Sequence, residues 1–325
     1  VPSGLAAIAT VALALLKSGD EVLIPDNAYG PNKALAEAEL QHWGISHRYY
    51  DPMQPQDLQA KIGPCTKLVW LEAAGSVTLE FPDLLEQVRL CKAAGVWCAL
   101  DNTWGAGLAF QPFDLLPGQS PALGVDISIH ALTKYPSGGG DVLMGSIITT
   151  DAALSMKLKL CHMRLGLGVG ANDVEAVLRS LPSLALRYRA HDQATRELAQ
   201  WSTGRAEFAQ VLHPALPDSP GHAHWRSVCT DGAAGHAAGL FSVIFKPQYS
   251  QTQVDAFCNA LQLFKIGYSW GGPISLVVPY DLASMRSRWP DHLQAGRLVR
   301  FSIGLEAVAD LQADLAQALA HMAHG

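Results

Sequence analysis

Two side chains set the chemistry open to this chain. One is a carboxylate and one a primary amine, each just past a short apolar run. Val96-Trp97-Cys98-Ala99-Leu100 is β-branched and aromatic, short enough for a buried strand, and it stops at Asp101-Asn102-Thr103-Trp104-Gly105-Ala106-Gly107. Asp126-Ile127-Ser128-Ile129 is a second such run and leads into His130-Ala131-Leu132-Thr133-Lys134-Tyr135. Asp101 and Lys134 are therefore expected at the C-terminal ends of core strands, the edge at which open α/β sheets bind ligands. A lysine that can form a Schiff base and an acid that can pair with a pyridinium nitrogen are what a pyridoxal 5'-phosphate (PLP) site requires. Strand-end polar residues without a role remain the plainer alternative on spacing alone.

Further residues could complete such a site. Ser3-Gly4-Leu5 opens an apolar helical stretch, and backbone N–H groups at a helix N-terminus attract phosphate, although a simple cap explains the serine equally well. Thr133 offers a hydroxyl beside Lys134. Tyr29 sits in a loop after a strand, where an aromatic ring could lie flat on another ring or merely pack. Tyr268-Ser269-Trp270-Gly271-Gly272 interrupts a strand-like stretch, and its paired glycines imply unusual backbone or close approach, or a plain turn. Arg300 lies inside Leu298-Val299-Arg300-Phe301-Ser302-Ile303-Gly304, a costly place for a guanidinium unless it is paired. Its planar fork suits a substrate carboxylate; an internal acid is the competitor.

These residues need elements to position them. The pattern predicts a helix over 6–17, a strand over 21–25, a helix from Pro31 to Trp43, and then strands at 45–50, 67–72 and 96–100 separated by helices at 54–61 and 82–94. This alternation means a mostly parallel sheet with crossover helices. Residues 136–140, Pro-Ser-Gly-Gly-Gly, read as a flexible loop, 142–149 as a returning strand, and 187–201 as a long connecting helix. Beyond 205 the alternation stops. Strands at 239–246 and 297–303 with helices at 251–262 and 306–322 fit a smaller α+β domain. The expected division is 1–184 and 185–325, in line with a 325-residue chain that is too long for one ordinary core.

Composition narrows the function classes. The chain is 49% hydrophobic and 16% charged with a net charge of −6, and Lys and Arg are scattered, so no polyanion-binding face is expected. Residues 5–16 are too short an apolar run for a membrane span. The 6 cysteines form no CxxC pair and suit a reducing cytoplasm. His222 and His224 could touch a metal, but no acid or cysteine at ligand spacing completes a site.

Taken together, Ser3-Gly4-Leu5-Ala6-Ala7, Tyr29, Asp101-Asn102-Thr103, Thr133-Lys134-Tyr135, Ser269 and Arg300-Phe301-Ser302-Ile303-Gly304-Leu305-Glu306 resemble the cysteine/methionine-metabolism PLP enzymes of the aspartate aminotransferase fold. The resemblance spans essentially the whole chain. Within the family it is nearest the bacterial cystathionine β-lyase branch, on Leu71-Glu72-Ala73-Ala74-Gly75-Ser76, His213-Pro214-Ala215-Leu216-Pro217 and the Trp270 that follows Ser269. Ala131 also stands where many γ-carbon enzymes of the family carry a phosphate-binding serine.

The resemblance implies a fold type I, PLP-dependent transferase-like α/β architecture. It consists of a large, mostly parallel sheet of the seven-stranded type and a smaller C-terminal domain. It implies that Lys134 carries PLP, Asp101 meets the ring nitrogen, Tyr29 stacks on the ring, and Gly4, Leu5 and Thr133 bind phosphate. Ser76 contacts the ring hydroxyl, and Arg300, helped by Ser269 and Trp270, holds the substrate carboxylate. The implied reaction is β-elimination of cystathionine, or of cystine and cysteine S-conjugates, in a homotetramer. A γ-lyase, a γ-synthase and a non-catalytic relative are the alternatives. The family also places a Tyr-x-Arg segment near its N-terminus that reaches a neighbouring subunit's phosphate; the sequence begins with Val1 past that point, so missing N-terminal residues are expected.

Overall fold

The computed structural model describes residues 1–230 and 234–322. Ser3 caps the first helix, α1 (Gly4–Leu15), by accepting a hydrogen bond from the Ala6 N–H at 3.0 Å. The chain continues through β1 (Glu21–Pro25), α2 (Gly30–Leu35), β2 (Ser46–Tyr50), α3 (Pro55–Lys61), β3 (Thr66–Glu72), α4 (Leu84–Ala94), β4 (Trp97–Asp101), β5 (Ile127–Ala131) and β6 (Gly145–Ile148). Two of these helices carry their stop and start signals plainly. Pro31 sits in the first turn of α2, and α4 runs from its Asp83 cap to Gly95, whose φ of 66° lets the chain leave in a left-handed turn. The helix expected to run unbroken to Trp43 instead widens into a π turn over Ala36–Leu40.

The first sheet has the order β2-β1-β3-β4-β5-β6. β1 to β5 pair in parallel and β6 returns antiparallel. Parallel strands covered on both faces read as unbroken apolar runs, and every residue of β1 is buried. Among the described residues the sheet carries six strands where the seven-stranded type was expected. Val1 exchanges both backbone hydrogen bonds with Gly145 at the free edge of β6, at 3.1 and 2.8 Å. Among the described residues that single rung is all the pairing there, and one residue is too few to count as a strand.

Helices α5 (Ala152–Leu165), α6 (Ala171–Ser180) and α7 (Leu184–Thr203) follow. Then come β7 (Phe208–Leu212), α8 (His222–Cys229), β8 (Leu240–Phe245), α9 (Gln251–Ala260), β9 (Lys265–Ile266), β10 (Leu276–Tyr280), α10 (Leu282–Met285), β11 (Arg297–Ser302) and α11 (Val308–Met322). They build a second sheet, β7-β8-β11-β10-β9, mostly antiparallel. Its core is aromatic: Phe241, Phe245, Phe257, Phe264 and Phe301 are fully or almost fully buried, with Phe241 stacked on Phe301 at 4.9 Å.

A buried charge cluster ties the segment after α10 to the loops that follow β1 and β3. Glu80 is fully buried and accepts from Arg286 Nη1 at 2.9 Å and Asn27 Nδ2 at 2.8 Å, and it pairs with His292. Arg286 Nε also reaches Asp26 at 3.1 Å. Burial opposes ionisation of Glu80, but His292, Arg286 and Thr78 outweigh it and hold the carboxyl down at about 2. A carboxyl depressed in the folded chain stabilises it above the ordinary value of 4.5, and that contribution is lost as pH falls toward 2. Glu80→Gln, which leaves Arg286 short of its partner, is therefore expected to cost about 3 kcal/mol at neutral pH. In urea unfolding, the gap between wild type and variant should close as pH drops from about 4.5 to about 2. A gap that is constant over that window would contradict the assignment.

Candidate active site

The C-terminal ends of the parallel strands, where Asp101 and Lys134 were expected, border a cavity of about 490 Å³. All ten residues singled out from the sequence line it: Gly4, Leu5, Tyr29, Ser76, Asp101, Thr133, Lys134, Ser269, Trp270 and Arg300. The first seven come from the N-terminal end of α1, from the last residue of β4 and from loops that leave β1, β3 and β5. The last three come from the second sheet and the segment before β10.

Lys134 Nζ donates to Ser269 Oγ at 3.0 Å and lies 5.2 Å from the centre of the Trp270 ring. Burial lowers its pKa to about 8, helped by repulsion from Arg300 and opposed by Asp101. Asp101 Oδ1 accepts the Thr103 N–H at 3.0 Å and the Thr103 hydroxyl at 2.6 Å. Thr103 Oγ1 in turn accepts the Ala131 N–H at 3.0 Å, which ties the Asp101 loop to the end of β5. Burial raises the pKa of Asp101, while Thr103 and Lys134 favour its charge.

Arg300 is 6% exposed, on the central strand β11. Its Nη2 donates to the carbonyls of Tyr268 at 2.8 Å and Ser269 at 3.3 Å, its guanidinium lies over the Tyr280 ring at 5.3 Å, and its Nε is buried without a partner. Among the described residues no carboxylate pairs with it. The internal-acid reading of Arg300 is thereby removed, and a buried cation is left facing the cavity.

Two glycines are explained by close approach. A Cβ on Gly4 would stand 2.7 Å from the Ala131 Cβ, so α1 can pack on the end of β5 only with glycine there. Gly271 has φ +77°, and a Cβ there would sit 2.9 Å from the Tyr135 nitrogen. This close approach brings Ser269 and Trp270 down onto Lys134. The loop at 136–140 is pinned rather than free: Ser137 Oγ donates to the Thr133 carbonyl at 2.7 Å and accepts the Gly140 N–H at 2.9 Å. His222, considered above as a metal ligand, has Nδ1 2.9 Å from the Pro214 carbonyl and tilts against Trp225.

Sequence reasoning passed over Glu72 and Tyr280, which also line the cavity. Glu72 ends β3 directly opposite Asp101 in the register. The signal that found Asp101, an acid at the end of an apolar run, was present there too.

Residues 1–320 match the family described as Cys/Met metabolism PLP-dependent enzyme. The cystathionine β-lyase of Bordetella avium is 38% identical over 320 residues, covering 98% of this chain and 76% of that protein. The cystathionine β-lyase of Salmonella typhimurium is 33% identical over 327 residues, covering 99% and 79%. The crystal structure of cystathionine γ-synthase from Xanthomonas oryzae pv. oryzae, in complex with aminoacrylate and cysteine, superposes with a TM-score of 0.85 at 28% identity, covering 99% of this chain and 81% of that one. With that fold and this cavity, the chain belongs to the Cys/Met metabolism PLP-dependent enzymes.

Proposed function

We infer that this chain is a PLP-dependent carbon–sulfur lyase that cleaves cystathionine and water to homocysteine, pyruvate and ammonia by β-elimination. Cystine and cysteine S-conjugates carry the same β-carbon–sulfur bond and are substrates in the same reading. The observation that carries it is Arg300, a buried cation without an internal acid, in the cavity that also holds Lys134 and Asp101.

The residues present fit the cofactor. The first N–H groups of α1 lie outside the helical ladder, so those of Gly4 and Leu5, with the Thr133 hydroxyl, suit a phosphate. Lys134 would hold the aldehyde carbon, Asp101 the ring nitrogen, Ser76 the ring hydroxyl, and the Tyr29 ring one face. When bound, PLP supplies an electron-withdrawing ring for the pair left at the substrate α-carbon. Asp101, whose charge Thr103 and Lys134 favour against burial, would keep a proton on that ring nitrogen. Lys134 Nζ, held toward the cavity by the Ser269 hydroxyl, would take the α-proton. Arg300 grips the α-carboxylate with its free Nε edge, with Ser269 and Trp270 beside it.

Two positions support β- over γ-chemistry within the family: Trp270 over the amine, and Ala131, whose methyl faces Gly4 and offers phosphate no hydroxyl. Residues 1–184 would form the cofactor-binding unit and 185–325 the smaller one. A homotetramer, or at least a dimer, is supported by large apolar side chains left exposed on α5, α6 and α7, among them Met156, Met163, Leu178 and Leu186. The 6 free cysteines support a cytoplasmic setting.

Incubation with cystathionine should yield pyruvate; 2-oxobutyrate would move the assignment to γ-elimination. Arg300→Lys should raise KM about 10- to 100-fold with a smaller effect on kcat, because an ammonium cannot make the two-pronged contact. An unchanged KM would place the carboxylate elsewhere. The neutral amine is the form that attacks an aldehyde, so the rate of PLP capture by apoprotein should climb with pH and level off above about 8. A rate still climbing past pH 10, as for an ordinary lysine, would contradict the buried setting of Lys134.

A further inference from the structure

Glu72 has no place in the scheme above, yet its carboxyl is buried beside Asp101 and occupies both of its oxygens. Oε2 accepts the Tyr29 N–H at 2.8 Å, and Oε1 accepts the Ser76 hydroxyl at 2.7 Å. Tyr29 belongs to the loop after β1 and Ser76 to the loop after β3, so one side chain spans two walls of the cavity. We propose that Glu72 is a positioning residue, a neutral carboxyl that fastens Tyr29 and Ser76 to the sheet edge beside Asp101. The inference rests on the PLP reading of the cavity.

Neutrality follows from the neighbours. β3 and β4 pair with Glu72 opposite Asp101, and two adjacent buried carboxyls resist double ionisation. Each carboxyl accepts two hydrogen bonds, and Asp101 has in addition the Lys134 cation, which gives it the stronger claim to the charge. The other titratable groups facing Glu72 are the phenols of Tyr29 and of Tyr50 at the end of β2, and neither supplies a positive charge. Burial, with Asp101 adding repulsion, outweighs the Ser76 and Tyr29 donors and lifts Glu72 to about 8. Protonation at Oε1 leaves Oε2 to accept the Tyr29 N–H, and the Ser76 hydroxyl, which donates to Oε1 when the carboxyl is charged, can turn to accept. A glutamine has the same acceptor and donor, its carbonyl and its NH₂. Above pH 8 the wild-type carboxyl ionises, and a second negative charge appears next to Asp101.

The test compares PLP dissociation constants of the apoproteins, and kcat of the holoenzymes, for wild type, Glu72→Gln and Glu72→Ala between pH 6.5 and 9.5. Glu72→Ala should weaken PLP about 10- to 100-fold, the effect of losing one or two buried hydrogen bonds. Glu72→Gln should restore wild-type affinity at pH 7 and abolish the change that wild type shows near pH 8. Wild-type affinity in the alanine variant would overturn the positioning role. A glutamine variant as weak as the alanine one would overturn the neutral carboxyl. A wild-type protein that takes up no PLP at all would instead overturn the functional reading and this one with it.

Discussion

The cavity confines two cations, Lys134 and Arg300, that the chain does not fully neutralise. Arg300 rests on backbone carbonyls and an aromatic face, and Lys134 has a hydroxyl and a nearby carboxylate. Burying charge in this way costs several kcal/mol per ion when no partner is present. The wall adds the positive end of α1 at Gly4 and Leu5. Such a site is stable only because the surrounding core holds it open, and it is shaped to be completed by anionic groups. A phosphate and an α-carboxylate answer that requirement in the same small volume.

The fold supplies the confinement in two parts. The parallel sheet brings the ends of β1, β3, β4 and β5 to one edge, so Tyr29, Glu72, Asp101 and Lys134 converge although they are far apart in sequence. The second sheet delivers Arg300 from its central strand and presses Ser269-Trp270-Gly271 onto Lys134. The cluster of Asp26, Glu80, Arg286 and His292 fastens the segment that carries Met285 against the loops of the first sheet, and Met285 and Tyr29 both line the cavity. Charge that would be wasteful on a surface is used here to fix two separately built walls.

The first sheet was largely legible because β1, β3, β4 and β5 are short apolar runs separated by helical stretches. Lys134, Asp101 and Arg300 were legible because a polar group at the end of, or inside, an apolar run is costly and so conspicuous. β10 was missed for the converse reason: Pro279 interrupts it. The strand tolerates proline because β9 pairs only with Leu276 and Val277, which leaves Pro279 beyond that edge. The π turn at Ala36–Leu40 left no mark in composition. Glu72 was quoted within a motif without a role: an acid at the end of an apolar run was visible there, but its place opposite Asp101 is a cross-strand register that a linear reading does not display. The same holds for Gly4, whose constraint is a methyl on a strand 127 positions away.

The most direct test is chemical. Holoprotein reduced with borohydride would fix a Schiff base as a stable amine, and peptide mapping would then locate it. The expected result is a single pyridoxyl group on the peptide that contains Lys134. A pyridoxyl group on another lysine, or none on a protein that turns over cystathionine, would contradict the assignment of this cavity.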